Sequence, residues 1–388
     1  MAWKNFRDVI RRELDIWSKR SFYVVAPVAI MVIGSVFYLT FLRDGLPSDI
    51  PVAVVDYDNS SVSRNFIRNL DATQTSSVVR YSDFAEARRD MQRGKVSAVC
   101  FIPEDFCESL TASRQPKISV YVNALYFVGG TLTWQNLLTM INLTSGAVQM
   151  QLLDAHGVPK SEQAGILRPI NIDAHKIGNT LTSYNACLST KMLPGTLQMI
   201  IILFIIYSLG TELKYSKSKQ LMETAGGSIL VAVGGKLVPY TIFYTIMGVA
   251  IELILYVVMK FPLAGSLWAM MLDMFLFIIA CESAAVLIIS LVPICRFGIS
   301  LGALYSVLSI SLTGFTLPVE VMPRFLQGLS NVFPLRHYYL FETQVSMFGC
   351  GFSGWWEEMV CLLCFTILPL LFLPRLKSAY INQNYPKN

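Results

Sequence analysis

Long apolar runs constrain this chain more than any other feature of its sequence. Several of them lack charge for about 15 to 25 residues, which at roughly 1.5 Å of helical rise per residue matches the hydrocarbon core of a bilayer. Hydrophobic residues make up 54% of the 388 residues and charged residues only 15%, which favours a polytopic membrane protein over a soluble one. The predicted transmembrane helices are Phe22–Leu42, Lys191–Leu209, Leu237–Met259, Ser266–Val292, Phe297–Leu317 and Trp356–Leu373.

The first span follows a basic N-terminal segment, a combination that is also typical of a signal peptide. Its apolar run is longer than a signal peptide requires, and no small-residue cleavage site follows in "RDGLPSDIP", so we interpret it as an anchor. Residues 1–21 are expected to form an interfacial (elbow) helix, with a plain basic anchor as the alternative. The residues predicted to share its apolar face are Trp3, Phe6, Ile10, Leu14 and Trp17.

The basic residues of the short connections predict the orientation of the chain, because such loops are retained in the cytoplasm. The N-terminal segment, loop 210–228, the connection after the fourth span and a tail at 375–388 hold most of them. Both termini are therefore expected on the cytoplasmic side of a bacterial inner membrane. The net charge of +5 suits a surface of membrane lipid and is too diffuse to indicate nucleic acid.

Residues 43–188 are far more polar than the rest and are expected to fold in water on the other side of the membrane. Strand-like and helix-like segments alternate here, which indicates a small α/β domain followed by long helices over residues 131–155. The predicted strands are "IPVAVVDYD", "SSVVRYSD", "VSAVCFIP" and "KISVYVNAL", and the predicted helices between them are "SSVSRNFIRNL" and "FAEARRDMQRGK". The fold class is thus an α-helical membrane protein with six transmembrane helices and an inserted extracytoplasmic α/β domain.

The sequence offers little that resembles a catalytic or metal site. Asp56 and Asp58 follow a strand, where paired acids usually cap the next turn, although metal ligation is an alternative. His156 and His175 are isolated in the sequence, and no nucleophile–base pattern accompanies them. We therefore expect no catalytic residue and no metal site.

The stretch "VGGKL" also fails as a nucleotide-binding loop, because Leu230 and Leu237 occupy positions where the phosphate-binding motif needs Gly and Ser or Thr. Lys236 is instead expected to extend to the water at the cytoplasmic end of the third span. No cofactor is expected in this chain, and any ATP and Mg would be bound by a partner. Cys361 and Cys364 are interpreted as packing residues, and a disulfide between Cys100 and Cys107 stays open.

Four stretches carry a resemblance to a known family: "IPVAVVDYDNSSVSRNF", "GKVSAVCFIPEDF", "GGKLVPY" and "LTGFTLPVEVMPRFLQGLSNVFPLRHYY". The chain resembles the permease subunit of bacterial type-2 ABC exporters, in the subgroup with a large extracytoplasmic domain between its first two transmembrane helices. The resemblance implies a partner P-loop ATPase in the cytoplasm and a second permease, either identical or a sister chain. It also implies a drug-like, lipophilic or envelope substrate, with a periplasmic adaptor and an outer-membrane duct as candidate partners.

In that family the loop after the second span carries a coupling helix that docks into the ATPase. Loop 210–228 has the expected composition, with Leu221 and Met222 as an apolar anchor pair and charges on either side. A merely solvated loop is the alternative. The predicted coupling residues are Lys217, Lys219, Gln220, Leu221, Met222, Glu223 and Thr224.

Segment 318–345 contains a proline-bracketed helix that is too short to cross a membrane. Such a helix is tolerated at membrane depth when it packs on protein or lines a cavity, which predicts a re-entrant outer gate. An interfacial helix without a gating role is the alternative. The residues assigned to this gate are Pro318, Pro323, Phe325, Leu329, Pro334 and Tyr338.

Glu252, Asp273 and Glu282 lie within the third and fourth spans and are expected to face the bundle interior, because a lipid-facing charge is costly. Glu252 and Asp273 fall at similar predicted depths, so they are candidates for sharing a proton or for facing a cationic part of the substrate. A structural hydrogen-bond pair is the alternative.

Two other functions stay open from the sequence. A proton-coupled secondary transporter would use these carboxylates directly, but it would usually show inverted repeats, which the unequal spans do not suggest. A membrane receptor or scaffold would use the outer domain and would need no coupling loop.

Overall fold

The computed structural model describes residues 2–41, 47–112, 114–125, 127–167 and 183–383. Leu42, His175 and the tail beyond residue 383, which figure in the sequence predictions, lie outside these ranges. The chain divides into two compact units. The membrane unit comprises Met1–Arg43 and Lys176–Asn388, and the α/β unit comprises Asp44–His175.

The regular elements follow one another in a simple order along the chain. The membrane unit opens with α1 (Ala2–Lys19) and α2 (Phe22–Phe41). The α/β unit contains β1 (Ile50–Asp56), α3 (Ser61–Asp71), β2 (Ser76–Tyr81), α4 (Phe84–Gln92), β3 (Ala98–Ile102), α5 (Phe106–Thr111), β4 (Ser119–Val122), α6 (Phe127–Ala155) and α7 (Lys160–Leu167). The membrane unit then continues with α8 (Tyr184–Lys214), α9 (Ser218–Thr224), α10 (Ile229–Glu252), α11 (Leu267–Leu291), α12 (Cys295–Leu312), α13 (Arg324–Ser330), α14 (Pro334–Ser346), α15 (Phe352–Ile367) and α16 (Leu373–Asn382).

Six helical segments of the described residues are long and apolar enough to cross a membrane, as predicted. They are α2, α8, α10 with its π-helical extension Leu253–Val258, α11, α12, and the segment Phe352–Asn382 that contains α15 and α16. Most of them differ in length from the prediction. The second span runs past both predicted ends because the charged residues there, Lys191 and Glu212, are paired inside the protein and do not have to reach water.

The predicted free tail differs most from the structure. Residues 375–382 continue the last span as α16 after a 3₁₀ turn at Leu368–Leu371. Leu376 and Tyr380 of this helix are fully buried in the core of the membrane unit. The apolar spacing of these two residues, four apart on one helical face, explains why the segment packs.

The core of the membrane unit is built around α8 and α11, whose side chains are mostly buried, whereas α2 exposes most of its apolar surface. Small residues allow the closest helix approach. Gly298 and Gly302 on α12 contact Ile206 of α8, and neither position has room for a larger side chain without movement of that isoleucine. Close packing of this kind drives helix association in lipid, where there is little hydrophobic effect between helices.

The α/β unit is a four-stranded sheet in the order β2–β1–β3–β4, with β1 parallel to β2 and β3, and β4 antiparallel to β3. Alternate residues of β1 point to opposite faces, as a strand requires. Val52 and Val54 pack against α3 and α6, while Ala53 and Val55 pack with Ala87 of α4. The predicted alternation of strands and helices is therefore confirmed, with α6 as one continuous helix of 29 residues.

Candidate functional site

The short helix α9 follows the second span, at the center of the predicted coupling loop. Ser216, Gly226 and Gly227 have positive φ angles of 56°, 66° and 78°, which produce tight turns on both sides of the helix. Its exposed residues are Lys217, Lys219, Gln220 and Glu223, which we call the α9 surface. Thr224 is half-buried and its hydroxyl donates to the Gln220 carbonyl at 2.8 Å.

Leu221 and Met222 do not form the exposed apolar anchor that the sequence suggested. They are 0% and 5% exposed and pack in the core of their own chain. The expectation was wrong because this helix of two turns needs these apolar side chains to hold it against the rest of the membrane unit. The accessible part of the loop is consequently polar and charged.

α9 contacts four other helices, α1, α8, α10 and α16. The Ser218 hydroxyl donates to the Tyr380 carbonyl of α16 at 2.9 Å, and the Tyr380 hydroxyl donates to the Leu209 carbonyl of α8 at 3.0 Å. On the other side, Gly226 lies directly against Asn5 of α1. A displacement of α9 would therefore act on α1, α8 and α16 together.

A buried group of charges lies beside this loop, where α1, α8 and α10 meet. Lys236 donates to Glu13 at 2.6 Å and to Glu212 at 2.8 Å, and Arg12 donates to both oxygens of Glu212 at 2.9 Å. The Tyr240 hydroxyl also donates to Glu13, at 2.9 Å. We call Arg12, Glu13, Glu212 and Lys236 the Lys236 cluster, in which two positive and two negative charges balance.

The Lys236 cluster corrects one expectation. Lys236 does not extend to water, because its side chain is 3% exposed and its ammonium donates to two buried carboxylates. The fully buried residues of α1 are Val9 and Glu13. Of the apolar face predicted for this helix, Trp17 packs against Tyr240, whereas Trp3 and Leu14 are exposed, and its interfacial position stays a prediction. The sequence did contain a signal for the burial of these two carboxylates. Glu13 lies four residues from both Val9 and Trp17, and Glu212 ends an apolar run.

The three intramembrane carboxylates face the protein interior, as predicted: Glu252, Asp273 and Glu282 are 0%, 0% and 3% exposed. Glu252 accepts a hydrogen bond from Tyr338 at 2.7 Å, and Glu282 accepts one from Thr241 at 2.7 Å. Neither oxygen of Asp273 has a hydrogen-bond partner among the described residues. No direct bond therefore joins Glu252 to Asp273 within the described chain, and their joint role stays a prediction.

A second buried ion pair was missed from the sequence. Lys191 of α8 pairs with Glu342 of α14, and both side chains are almost fully buried. Glu342 also accepts hydrogen bonds from the hydroxyls of Tyr256 and Ser346, each at 2.9 Å. The sequence places Glu342 between the fifth and sixth spans and gives no reason to expect it inside the bundle. Its partners lie on three different elements, so no local pattern connects them to it.

The predicted gate segment contains the expected short helix, α13, which has seven residues and begins directly after Pro323. Pro318 precedes a 3₁₀ turn, and Pro334 opens α14. Phe325 is 77% exposed, Leu329 is half-buried and Tyr338 is buried. The gating role and the position of this segment relative to a membrane stay predictions.

Two groups of residues in the described chain offer ligand atoms for a metal ion. The side chains of His337, Glu358 and Cys361 offer ligand atoms within 4.8 Å of one another, but the histidine already contacts Glu358 at 2.7 Å and the Asn331 carbonyl at 3.1 Å. Asp56 caps its own turn by accepting from the Asp58 and Asn59 amides, both at 3.1 Å. Local hydrogen bonds thus account for both groups.

A family model, described as ABC-2 family transporter protein, matches residues 17–373 of the chain. The match covers all six spans apart from α16, of which it reaches only the first residue, and it includes α9 and the α/β unit. No curated protein matches the sequence.

Proposed function

Since the chain belongs to the ABC-2 family of transporter proteins, we propose that it is the permease subunit of an ATP-driven exporter and that its α9 surface binds a separate cytoplasmic ATPase. The family supports a membrane permease; the coupling helix is our assignment. The observation that carries it is that α9 projects charged side chains from a helix that is fixed to the core by Leu221 and Met222.

A coupling element must transmit force as well as bind. The α9 surface presents Lys217, Lys219 and Glu223, which supply charges for register with a partner. Its buried side and its hydrogen bonds connect it to α8 and α16, so closure of a bound ATPase would displace membrane helices. ATP and Mg would be bound by the partner, and this chain would have no catalytic residue.

The remaining assignments follow from the family and the predicted orientation. The chain would work with a second permease, identical or a sister chain, in the bacterial inner membrane, with both termini cytoplasmic and the α/β unit outside. The exposed apolar surface of α2 is available for lipid or for that second permease. The substrate would be a drug-like, lipophilic or envelope compound, with a periplasmic adaptor and an outer-membrane duct as further partners.

Within the bundle, the buried carboxylates are candidates for the substrate pathway. Asp273 is the strongest of them, because a buried carboxylate without hydrogen bonds costs stability and is retained where function requires it. α13 and the prolines around it would form the gate at the outer end.

Copurification tests the coupling assignment. In mild detergent, at least about tenfold less P-loop ATPase should copurify with the double variant Lys217→Glu, Lys219→Glu than with the unmodified chain, because like charges across an interface repel. Lys160→Glu is the matched control, because Lys160 is an equally exposed lysine in the other unit. If the double variant binds the ATPase like the control, the α9 surface is not the coupling site.

Reconstitution tests the energy source. Vesicles that contain the chain and the copurified ATPase should transport only with ATP and Mg. Transport by the chain alone without nucleotide would instead identify a secondary transporter.

A further inference from the structure

A cavity of about 220 Å³ opens in the membrane unit where α1 turns into α2 and where α8 ends. Four cationic side chains line it, from Lys19, Arg20, Lys217 and Lys236, together with the carboxylate of Glu212. It is smaller than the roughly 300–1,000 Å³ of pockets for drug-sized ligands, so its occupant should be a small polar group.

The charges of this cavity do not balance. Glu212 and Lys236 belong to the Lys236 cluster and are neutralised there by Arg12 and Glu13. Lys19, Arg20 and Lys217 remain, and none of them forms an ion pair with another residue of the described ranges. The cavity therefore carries a surplus of three positive charges and is suited to an anion.

Its walls are arranged for a ligand with both polar and apolar parts. Tyr23 is buried at 3% exposure, and Thr211 lies beside it in the cavity wall. Tyr215 is half exposed at the rim, and the Arg20 guanidinium lies 5.9 Å from the center of its ring. This cation–π contact restricts the movement of Arg20 at the rim.

The position of the cavity favours one kind of anion. Lys19 is the last residue of α1, and the first span begins at Phe22; the second span ends at Lys214, just before Tyr215. Residues that flank the ends of two transmembrane helices lie at the membrane–water boundary, where lipid phosphates are found.

We propose that this cavity binds the phosphate of an anionic phospholipid, with Lys19, Arg20 and Lys217 around the headgroup and the acyl chains along the exposed surface of α2. Since Lys217 is also part of the α9 surface, a bound lipid would connect that surface to the bilayer. The proposal does not depend on the proposed function, because lipid binding requires no ATPase.

Lipid binding to the purified chain tests this site. The delipidated protein in neutral detergent is titrated with phosphatidylglycerol, with zwitterionic phosphatidylcholine or with inorganic phosphate, and bound lipid is counted by native mass spectrometry. We expect one phosphatidylglycerol held at least about tenfold more tightly than phosphatidylcholine, and a loss of about tenfold or more in the variant Lys19→Gln, Arg20→Gln.

Lys4→Gln is the matched control, since Lys4 is an exposed lysine of α1 outside the cavity. An equal loss in this control would mean diffuse attraction and would overturn the site. If inorganic phosphate stabilises the protein against heat as much as the lipid does, the ligand of the cavity is a free anion and the lipid assignment is overturned.

Two further outcomes keep the test decisive. If the double variant fails to fold, the charge-preserving variant Lys19→Arg replaces it and must retain the preference for phosphatidylglycerol. Equal binding of phosphatidylglycerol and phosphatidylcholine by the unmodified chain overturns the proposal. Should the double variant keep its lipid but lose a copurifying ATPase, the cations belong to a protein interface and the lipid site is rejected.

Discussion

Lys236 of α10 and Glu13 of α1 form an ion pair with a distance of 2.6 Å, and their side chains are only 3% and 1% exposed. The pair joins the N-terminal helix to the third span across 223 positions of sequence. A buried pair of this kind does not by itself indicate stability, but the loss of one partner leaves an uncompensated charge inside the protein.

Glu13→Ala should therefore lower the free energy of unfolding by about 3–5 kcal/mol. Lys236→Met in the same chain should recover part of the loss, because the excess positive charge is then absent and Arg12 and Glu212 balance each other. Chemical unfolding in detergent measures both variants. Asp15→Ala is the control, since Asp15 is an exposed acid of the same helix, and it should change stability by no more than about 0.5 kcal/mol. Equal effects at positions 13 and 15 would contradict the buried network.

Gly210→Ala should destabilise the membrane unit by about 1–3 kcal/mol, as overpacking does. A Cβ atom at this position would lie 2.8 Å from the Cβ and 3.0 Å from the Cα of Cys295, and the backbone of α12 cannot yield as a flexible side chain would. Gly328 provides the control, because a Cβ there meets nothing within 4 Å and alanine favours the helix. The midpoints of thermal unfolding in detergent compare the two variants; a stable Gly210→Ala protein would mean that α8 and α12 pack less closely than described.

Asp273→Asn should reduce transport strongly, by about tenfold or more, without lowering stability. Transport through the proposed pathway would use the ionisable group, which the amide removes. Stability should be kept because the two carboxylate oxygens have no hydrogen-bond partner among the described residues, so no bond is broken. Transport in vesicles and thermal unfolding of the same preparation separate the two effects.

Glu252→Gln is the companion variant, and here a smaller change is expected because the amide can keep the bond from Tyr338. If both amide variants transport as well as the unmodified chain, these carboxylates are not part of the substrate pathway.

The Cys100 thiol should resist alkylation in the folded α/β unit. Its burial, aided by the Asp56 carboxylate, raises the pKa of the thiol from 9.0 to about 12, so the reactive thiolate is scarce at neutral and mildly alkaline pH. Variants that each keep one cysteine, treated with maleimide at pH 8 and analysed by mass spectrometry, compare Cys100 with the exposed Cys187. Cys100 should react only in urea, and rapid labelling without urea would show that the β-sheet core is open.

Cysteine oxidation can be assessed with the unmodified chain, which keeps both Cys100 and Cys107. Cys100 and Cys107 are both free thiols in the structure. Both should therefore become alkylated in urea without prior reduction.

The sequence was sufficient for the parts of the fold that depend on local patterns. The long apolar runs identified all six spans, and short β-type runs such as "IPVAVVD", ended by turn residues, identified the strands of the sheet, because both patterns reflect burial of nearby residues. The short helix α13 was also predicted, since prolines limit it on both sides.

The buried charges could not be predicted in the same way. Lys191 and Glu342 are 151 positions apart, and no local pattern tells whether a charged residue near a helix end will find a partner or reach water. For the same reason the burial of Leu221 and Met222 was missed: two apolar residues in a charged loop fit a docking surface as well as they fit the core.

The hydrogen bonds of Tyr380 have a practical consequence for the C-terminal end of the chain. The Tyr380 carbonyl accepts a hydrogen bond from the Ser218 hydroxyl, and the Tyr380 hydroxyl donates one to the Leu209 carbonyl. One residue of the last helix therefore connects α9 to the second span. A truncation just before Tyr380 would retain most of every transmembrane segment and the entire sheet, and it would still insert into membranes. Such a shortened protein would nevertheless lack the hydrogen bonds that hold α9, the helix proposed to bind the ATPase. Normal membrane insertion would therefore not show that it can transport.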